Sequence, residues 1–334
     1  MPSCHLSHRR AALAASIALA AHCLGFAAGP AEAQDVWPAK PVRVVVGFAA
    51  GGPTDVVARA FADHASRALG QPFVVDNKPG ANTIIAAQAV AGAPADGYTL
   101  LFGATNHTMI PALYSNRVKF DTVRSFQPIC TVASSPTVLV VGHGLPVKTL
   151  AEYMKKARAE PGHVTAGTAG IGSSGHFATE MFARANGLSL NHVPYKGAAP
   201  VVTDLMGGQL DSSFATLGSV LPQIQSGQLT ALAVASKNRS TLLPDVPTFK
   251  EAGGGEYSAD AWYGVLAPAG TPEPIVKALE HVSTGFAKSA STAEKLRKLG
   301  LDAESVCGSA FGARMQREVT TYTRIARELD LKAD

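Results

Sequence analysis

The loop Phe48–Thr54 offers an anion a row of backbone N–H groups that almost no side chain covers. It reads FAAGGPT, follows the β-branched run Val42–Val46, and places Pro53 where a first helical residue is favoured. The first amides of a helix have no partner within the helix and carry the positive end of its dipole. We therefore predict that this loop, called loop A below, binds an anion with its main chain.

A second loop of the same kind, Gly170–Ser174 or loop B, lies between a strand predicted at His163–Gly167 and a helix that begins at its last serine. Its amides, together with the hydroxyl groups of Thr168, Ser173 and Ser174, are hydrogen-bond donors suited to a carboxylate. Two loops built alike predict a ligand that is held from both sides.

Loop B also matches the G-x-G-x-x-G pattern of dinucleotide-binding proteins, through Gly170, Gly172 and Gly175. Such a site needs an acidic residue at the end of the following strand, where it holds the ribose hydroxyl group. The strand predicted at Asn191–Val193 leads instead to Lys196. We therefore predict no nicotinamide site in this loop and no cofactor for the protein.

Ser173 and Ser174 are candidate nucleophiles, which makes a secreted serine hydrolase the rival hypothesis. Neither serine has the flanking glycines of the G-x-S-x-G nucleophile elbow. His176 follows too closely around a helix start to aim its imidazole at either hydroxyl group. A hydroxyl that caps the helix explains the pattern better, so we predict no catalytic residue.

Other positions offer polar or aromatic groups near the two loops. Thr105 and Asn106 follow the third predicted strand, at the sheet edge where α/β proteins present ligands, and both ligand contact and ordinary turn chemistry stay open there. Asp55 stands in the first turn of the helix behind loop A, where we expect it to shape the loop. Trp262 and Tyr263 are core residues or part of a cleft wall, with the core favoured.

These groups need rigid elements behind them, and the sequence provides two series of alternating strands and helices. The first series runs from Arg43 to Phe102 and the second from Val138 to Ala235, followed by a late strand at Trp262–Leu266 and terminal helices. Alternation of this kind predicts an α/β protein with two domains, each a mostly parallel sheet flanked by helices.

The late strand and the terminal helices predict a discontinuous domain arrangement. Residues 34–134 and 262–334 form domain 1 in this prediction, and residues 135–261 form domain 2. Two crossing segments, near Thr131–Val138 and Ser258–Val265, then make a hinge. A hinge of this kind closes two domains on a ligand through a few backbone rotations.

The first 33 residues carry the pattern of a cleaved secretory signal peptide. His8–Arg10 is a basic head, Ala11–Ala28 is apolar, and Ala31–Ala33 fits the small-x-small cleavage pattern. We expect cleavage before Gln34 and a periplasmic location for the mature chain. The cleavage site and the export route stay open.

Composition and charge exclude several classes of protein. The chain has 29 basic and 25 acidic side chains, scattered without a basic stripe, so nucleic acid is not an expected partner. After the signal, no run approaches the roughly 18 apolar residues of a membrane helix. Cys130 and Cys307 either pair or remain as two buried thiols, and no His/Cys cluster with metal-ligand spacing predicts a metal site.

Longer motifs in the chain, taken in order, resemble those of the Bug family, the extracytoplasmic solute receptors of tripartite tricarboxylate transporters. The similarity covers nearly all of the mature chain. The pieces that carry it are WPAKPVRVVVGFAAGGPTDVVAR (Trp37–Arg59), VVDNKPGAN (Val74–Asn82), PADGYTLLFGATNHTMIPALY (Pro94–Tyr114), GTAGIGSSGHFATEMF (Gly167–Phe182), HVPYKGAAPVVTDLMGGQLD (His192–Asp211), LPDVPTFKEAG (Leu243–Gly253) and WYGVLAPAGTP (Trp262–Pro272).

The resemblance implies a type II periplasmic-binding-protein fold whose two α/β domains close on a small carboxylated solute, held by main-chain amides, small polar groups and ordered water. It carries the carboxylate-holding role to Phe48, Ala49, Ala50, Gly51, Gly52, Pro53 and Thr54, opposed by Gly170, Ile171, Gly172, Ser173 and Ser174. It carries ligand selectivity to Asn82, Thr105, Asn106, His176, Tyr195, Lys196 and Thr216.

The chain departs from the family pattern at one loop. After Pro79–Ala81 the family usually has glycine at one or both of the next two positions, where this chain has Asn82 and Thr83. If this loop faces the cleft, two added polar side chains narrow the pocket and offer new hydrogen bonds. The ligand preference inherited from the family is therefore open.

The prediction is thus a monomeric periplasmic receptor that captures a small organic acid and catalyses nothing. A transporter of the membrane is the expected partner, and the alternatives are a sensor kinase or no partner at all. The rival classes are a secreted serine hydrolase acting on a small carboxylated ester and a module that binds a peptide terminus. Aromatic acids, dicarboxylates, amino acids and nicotinate-like compounds all fit as ligands.

Overall fold

The computed structural model describes residues 37–114, 118–256 and 259–331. The signal peptide predicted over residues 1–33 lies outside the described residues. None of the helices in the described part of the chain combines the length and apolar character that a membrane span requires.

Eleven strands and ten α-helices make up the described chain. The strands are β1 Val42–Val46, β2 Phe73–Asn77, β3 Thr99–Ala104, β4 Phe126–Ser135, β5 Thr137–Val141, β6 Thr165–Thr168, β7 Asn191–Pro194, β8 Ser212–Thr216, β9 Thr230–Val234, β10 Ala261–Pro268 and β11 Asp302–Ala303. The helices are α1 Pro53–Leu69, α2 Ile84–Ala91, α3 Asn106–Tyr114, α4 Leu150–Ala159, α5 Ser174–Ala185, α6 Ala198–Met206, α7 Leu217–Gln225, α8 Glu273–Lys288, α9 Ala290–Lys298 and α10 Gly308–Glu328.

The strands form two sheets, with orders β11-β4-β10-β3-β1-β2 and β7-β6-β8-β5-β9. The α/β class predicted from the alternation of elements is confirmed, but the sheets are mixed rather than mostly parallel. In the first sheet β1 pairs in parallel with β2 and β3, whereas β10 runs antiparallel to β3 and β4. In the second sheet β5 runs antiparallel to β8 and β9.

The antiparallel pairing of β4 with β10 has a topological cause. Strand β4 leaves the first sheet through Pro136 and continues at once as β5 of the second sheet, while β10 brings the chain back beside β4. A strand that leaves and one that returns along the same path must run in opposite directions. Local sequence patterns carry no information about this return, and the division into domains with a hinge remains a prediction.

The cores lie on both faces of the sheets, as the alternation of side chains along a strand requires. In β5, Leu139 and Val141 pack under α4 and α5, whereas Val138 and Val140 pack under α6 and α7. One face of the first sheet packs against α2 and α10. On its other face, Phe102 meets Phe61 of α1, which contacts Phe286 of α8 edge-on.

Cys130 and Cys307 form a disulfide, which settles the alternative that the sequence left open. Cys130 lies on β4 and Cys307 caps α10, so the bond fastens the start of the C-terminal helix to the first sheet. The two residues are 177 positions apart in sequence. The disulfide therefore closes a loop that contains the whole second sheet.

Candidate ligand-binding site

A cavity of about 160 Å³ lies where the carboxyl ends of strands from both sheets meet. That space suits a small organic molecule better than a single ion. The first-sheet side of the wall is Phe48, Ala49, Ala50, Gly52, Pro53, Thr54, Ala104, Thr105, Asn106, Ala261 and Tyr263, and the second-sheet side is Ala169, Ser173, Ser174, Lys196, Gly197, Ala198, Ala199, Pro200 and Thr216.

Loop A is held in place by the buried carboxylate of Asp55. Asp55 Oδ2 accepts hydrogen bonds from the Gly51 amide and from Arg59 Nε, each at 2.9 Å, and Oδ1 accepts one from Asn77 Nδ2. Asn77 Nδ2 also donates to the Phe48 carbonyl. Burial raises the pKa of Asp55, but the bonds from Arg59, Gly51 and Asn77 outweigh burial and lower it overall. The expectation that Asp55 shapes the loop is confirmed.

Loop B is built around the N-terminus of α5. Ser173 is the N-cap residue, and its hydroxyl oxygen accepts from the His176 amide at 3.2 Å. His176 Nδ1 in turn accepts from the Gly172 amide, also at 3.2 Å. Gly170 and Gly172 have φ of +133° and +77°, which residues with side chains rarely adopt. The capping role predicted for a serine hydroxyl at this helix start is confirmed.

A third helix begins at the cavity, and the sequence analysis did not identify it as a ligand-facing element. Gly197, with φ of +119°, caps α6, and Ala198, Ala199 and Pro200 of its first turn line the wall. The signal in the sequence was the step from the strand end to Gly197 followed by Ala-Ala-Pro, which is typical of a helix start. Alanines carry no side-chain chemistry, so the residue types in this segment favoured Tyr195 and Lys196 instead.

The cavity therefore has an electrostatic bias towards anions. The N-terminal turns of α1, α5 and α6 contribute lining residues, and Thr105 and Thr216 stand at the starts of α3 and α7. The positive ends of these helix dipoles meet at one cavity, where their partial charges add. Of the described residues that line this cavity, Lys196 alone has a charged side chain, and it is cationic.

Tyr263 connects the two sides of the wall. It is 3% exposed on β10, and its phenol hydrogen-bonds with Thr216 at the end of β8. Burial raises the pKa of Tyr263 to about 12, so the phenol stays protonated at neutral pH. Its neighbour Trp262 is fully buried and donates from Nε1 to Glu318. Trp262 is thus a core residue, while Tyr263 is both buried and part of the cavity wall.

The other polar wall residues are fixed by neighbours. Thr105 Oγ1 accepts from the Trp262 amide at 2.7 Å, and Asn106 Nδ2 donates to Thr83 Oγ1 at 2.9 Å. Both Thr105 and Asn106 are more than nine-tenths buried. A ligand in the cavity meets groups that are already oriented, which reduces the cost of ordering them on binding.

Several residues predicted for the site do not line this cavity: Gly51, Asn82, Thr168, Gly170, Ile171, Gly172, His176 and Tyr195. Several of them are engaged in hydrogen bonds next to the wall. The Gly51 amide points to Asp55, Thr168 Oγ1 bonds with His192 Nε2, and the Tyr195 hydroxyl donates to Asp204. The remaining predicted residues all line it. Tyr263, for which a place in the cleft wall was left open, lines it as well, together with residues that the prediction missed: Ala104, Ala169, Gly197, Ala198, Ala199, Pro200 and Ala261.

His176, Glu180 and His192 form a group of potential metal ligands, which the sequence analysis did not foresee. Their donor atoms lie within 4.8 Å of one another. The two imidazole rings stack with centroids 4.3 Å apart and planes 18° apart, so their lone pairs lie in nearly parallel planes and do not converge on one ion. The Gly172 amide also occupies His176 Nδ1, which leaves the proton on Nε2.

The histidine pair therefore supports loop B in its neutral form. Burial, with a smaller contribution from the charge of His192, lowers the pKa of His176 to about 3. Burial also lowers the pKa of His192. The same contacts count against the hydrolase hypothesis. Ser173 Oγ accepts a hydrogen bond from the His176 amide, and the imidazole of His176 accepts one from the Gly172 amide, so the two side chains do not bond with each other.

Comparisons with known proteins agree with this geometry. Residues 57–331 match the family model described as the tripartite tricarboxylate transporter family receptor. The chain is 37% identical to Protein BugT of Bordetella pertussis over 265 residues, which are 79% of this chain and 81% of BugT.

Two solved structures are also similar to the whole fold. One is Rpa4515 of R. palustris with adipate, with a TM-score of 0.85 and 34% identity over 89% of this chain and 100% of that one. The other is the periplasmic binding protein BugD, with a TM-score of 0.83 and 32% identity over the same shares of the two chains.

Proposed function

Because the chain belongs to the Bug family of tripartite tricarboxylate transporter receptors, we propose that its cavity captures a small organic acid. The family consists of solute-binding receptors, and the relative Rpa4515 holds adipate, a carboxylate. The observation that carries the proposal for this chain is the meeting of several helix N-termini in one cavity between loops A and B.

The carboxylate lies between loop A on one side and loop B with the α6 start on the other. The amides of Thr54 and Asp55 and those of Ser174 and Gly175 have no acceptor within their own helices, because they belong to the first turns. When the two sides of the site close over the ligand, water is excluded and each amide contact becomes stronger. The ligand residues that we propose are Phe48, Ala49, Ala50, Gly52, Pro53, Thr54, Thr105, Asn106, Ser173, Ser174, Lys196 and Thr216, with Gly197, Ala198, Ala199 and Tyr263 added.

The body of the ligand is compact and largely apolar in this proposal. Besides its polar residues, the wall contains Phe48, Pro200, Tyr263 and several alanines. Such a surface gains from contact with the hydrocarbon part of a ligand. A second carboxylate has one counter-charge within reach of the wall, that of Lys196.

Location, partner and the absence of catalysis belong to the same proposal. A cleaved signal peptide sends the chain to the periplasm, where its relative BugD is described as a binding protein. The ligand-bound form then meets a transporter of the membrane, or a sensor kinase. The protein acts as a monomer and performs no chemistry on its ligand. If the protein were a serine hydrolase instead, it would hydrolyse small esters, and this activity would be lost in the Ser173→Ala or the Ser174→Ala variant.

A thermal-shift screen of carboxylates tests the binding function. A ligand present at a hundred times its dissociation constant adds about 2.7 kcal/mol to the free energy of unfolding, which raises the melting temperature by several degrees. We expect at least one acid with a compact apolar body to do so, and its primary amide to have no effect. If no acid shifts the melting temperature while neutral amides do, the proposal is wrong.

A further inference from the structure

A hydrogen bond joins the first-sheet side of the site to loop B, and neither of its two residues lines the cavity. Asn82 Nδ2, in the loop after β2, donates to the Gly172 carbonyl of loop B at 3.3 Å. The two residues are 90 positions apart in sequence. An added Cβ on Gly172 would lie 2.5 Å from Asn82 Nδ2, so loop B and the side chain are in close contact.

The backbone around Asn82 is strained. Ala81, Asn82 and Thr83 have φ of 46°, 48° and 69°, three consecutive residues with side chains in the left-handed region. Only glycine adopts this conformation routinely, and asparagine is one of the few other residues that tolerate it. Strain of this kind persists only where surrounding contacts hold it, and it concentrates at ligand clamps and switches.

Asn106 supplies these contacts from the cavity wall. Its Nδ2 donates to Thr83 Oγ1 at 2.9 Å and approaches both the carbonyl oxygen and Oδ1 of Asn82 at 3.4 Å. On the opposite side, the amide of Gly172 is bonded to His176 Nδ1. A continuous chain of hydrogen bonds therefore runs from the first-sheet wall through Asn82 to the support of loop B.

We propose that Asn82 is a positioning residue that ties loop B to the first-sheet side of the closed site. This role rests on the proposed ligand-binding function, because a tie between the loops matters only if a ligand binds between them. Asn82 does not line the cavity and need not touch the ligand. It favours the arrangement in which loops A and B face each other, so the binding-competent form is more populated before the ligand arrives and the ligand leaves more slowly afterwards.

The test compares three variants of the full mature chain. N82G removes the donor and relieves the left-handed strain, and N82D keeps the size of the side chain but removes its N–H groups. A81G is the matched control, because it relieves strain in the same loop at an exposed residue that makes no bond to loop B. Hydrogen exchange of residues 170–176 without ligand, melting temperature, and adipate dissociation rate are measured for each variant.

We expect N82G and N82D to exchange faster than wild type over residues 170–176, and A81G to exchange at the wild-type rate. Adipate should dissociate about three- to tenfold faster from N82G and N82D, the range expected for one hydrogen bond. N82G should melt no lower than wild type, because strain is relieved. A purely structural role would lower stability and affinity together.

The outcomes separate this proposal from the binding function. Wild-type exchange over residues 170–176 in both N82G and N82D overturns the role of Asn82, whatever adipate does. Faster exchange in these variants, together with the lack of any adipate binding to the wild-type chain, supports the tie between the loops and counts against adipate as a ligand. If hydrogen exchange over residues 170–176 is accelerated equally in A81G, the proposed role of Asn82 is also wrong, because relief of strain alone would then explain the faster exchange.

Discussion

At the scale of single residues, the site depends on groups that never meet the ligand. Asp55 receives bonds from the Gly51 amide, Arg59 and Asn77, and it is 2% exposed. Its carboxylate therefore fixes the curvature of loop A through the Gly51 amide. A buried carboxylate thus lies behind a loop that we propose binds an anion. Hydrogen bonds from Gly51, Arg59 and Asn77 stabilise the negative charge of Asp55.

We predict that Asp55→Asn weakens both the fold and the binding of the ligand. The variant loses charge-assisted bonds, so the free energy of unfolding should fall by about 1–3 kcal/mol at pH 6, measured by urea denaturation. The pKa of Asp55 is lowered in the folded state from 3.8, so its contribution is present above that pH and is lost as the pH falls through the folded value. The difference between wild type and variant should therefore shrink below about pH 4. A difference that is constant down to pH 2.5 contradicts this role.

At the scale of elements, the helix starts carry the recognition. Loop A and loop B could be predicted because glycine, proline and hydroxyl residues mark a helix start in the sequence. The start of α6 was missed as a ligand-facing element since Ala198 and Ala199 have no chemistry of their own. Ala198 and Ala199 contribute to the site through the location of their backbone. That location depends on how the second sheet places α6 beside α5.

Helix α7 and strand β4 are among the elements that the sequence did not predict, and each has a local reason. Helix α7 contains Gly218 and Pro222, both unfavourable inside a helix, and tertiary packing of Val220 and Leu221 overrides them. Strand β4 contains Pro128 and several polar residues, which obscure the alternation of a strand. The antiparallel pairing of β4 with β10 joins residues more than a hundred positions apart, so no local pattern could predict it.

Charge at the α6 start gives a prediction at this scale. Ala199→Asp places a carboxylate in the first turn of α6, where the helix dipole stabilises it by up to about 1 kcal/mol. The same carboxylate repels an incoming anion, so acid binding should weaken at least tenfold while the melting temperature stays the same or rises. Ala199→Asn is the neutral control of equal size and should bind within about threefold of wild type. If both variants bind equally, the field of the helix start is not what holds the ligand.

At the scale of the whole molecule, the chain passes out of the first sheet, forms the second and returns to the first. The disulfide between Cys130 of β4 and Cys307 at the start of α10 links the chain before the second sheet to the chain after it. A cross-link between distant positions restricts the unfolded chain more than the folded one, and the effect grows slowly with loop length.

Removing the disulfide should therefore lower stability without changing the site. We expect the Cys130→Ser/Cys307→Ser double variant to lose about 2–5 kcal/mol of unfolding free energy while its affinity for an acid stays within a few fold of wild type. Adding a reductant should destabilise the wild-type chain and leave the variant unchanged. A variant as stable as wild type, or one that no longer binds, contradicts this separation of scaffold from site.

The central claim is that the cavity holds a carboxylate at helix N-termini. Isothermal titration of refolded, ligand-free protein tests it most directly, with the tightest acid from the thermal-shift screen and its primary amide compared in wild type and in Ala199→Asp. The account predicts one-to-one binding of the acid to the wild-type chain, at least tenfold weaker binding to Ala199→Asp, and no measurable binding of the amide. Equal affinity for the acid and the amide, or an acid that binds Ala199→Asp as tightly as wild type, would contradict it.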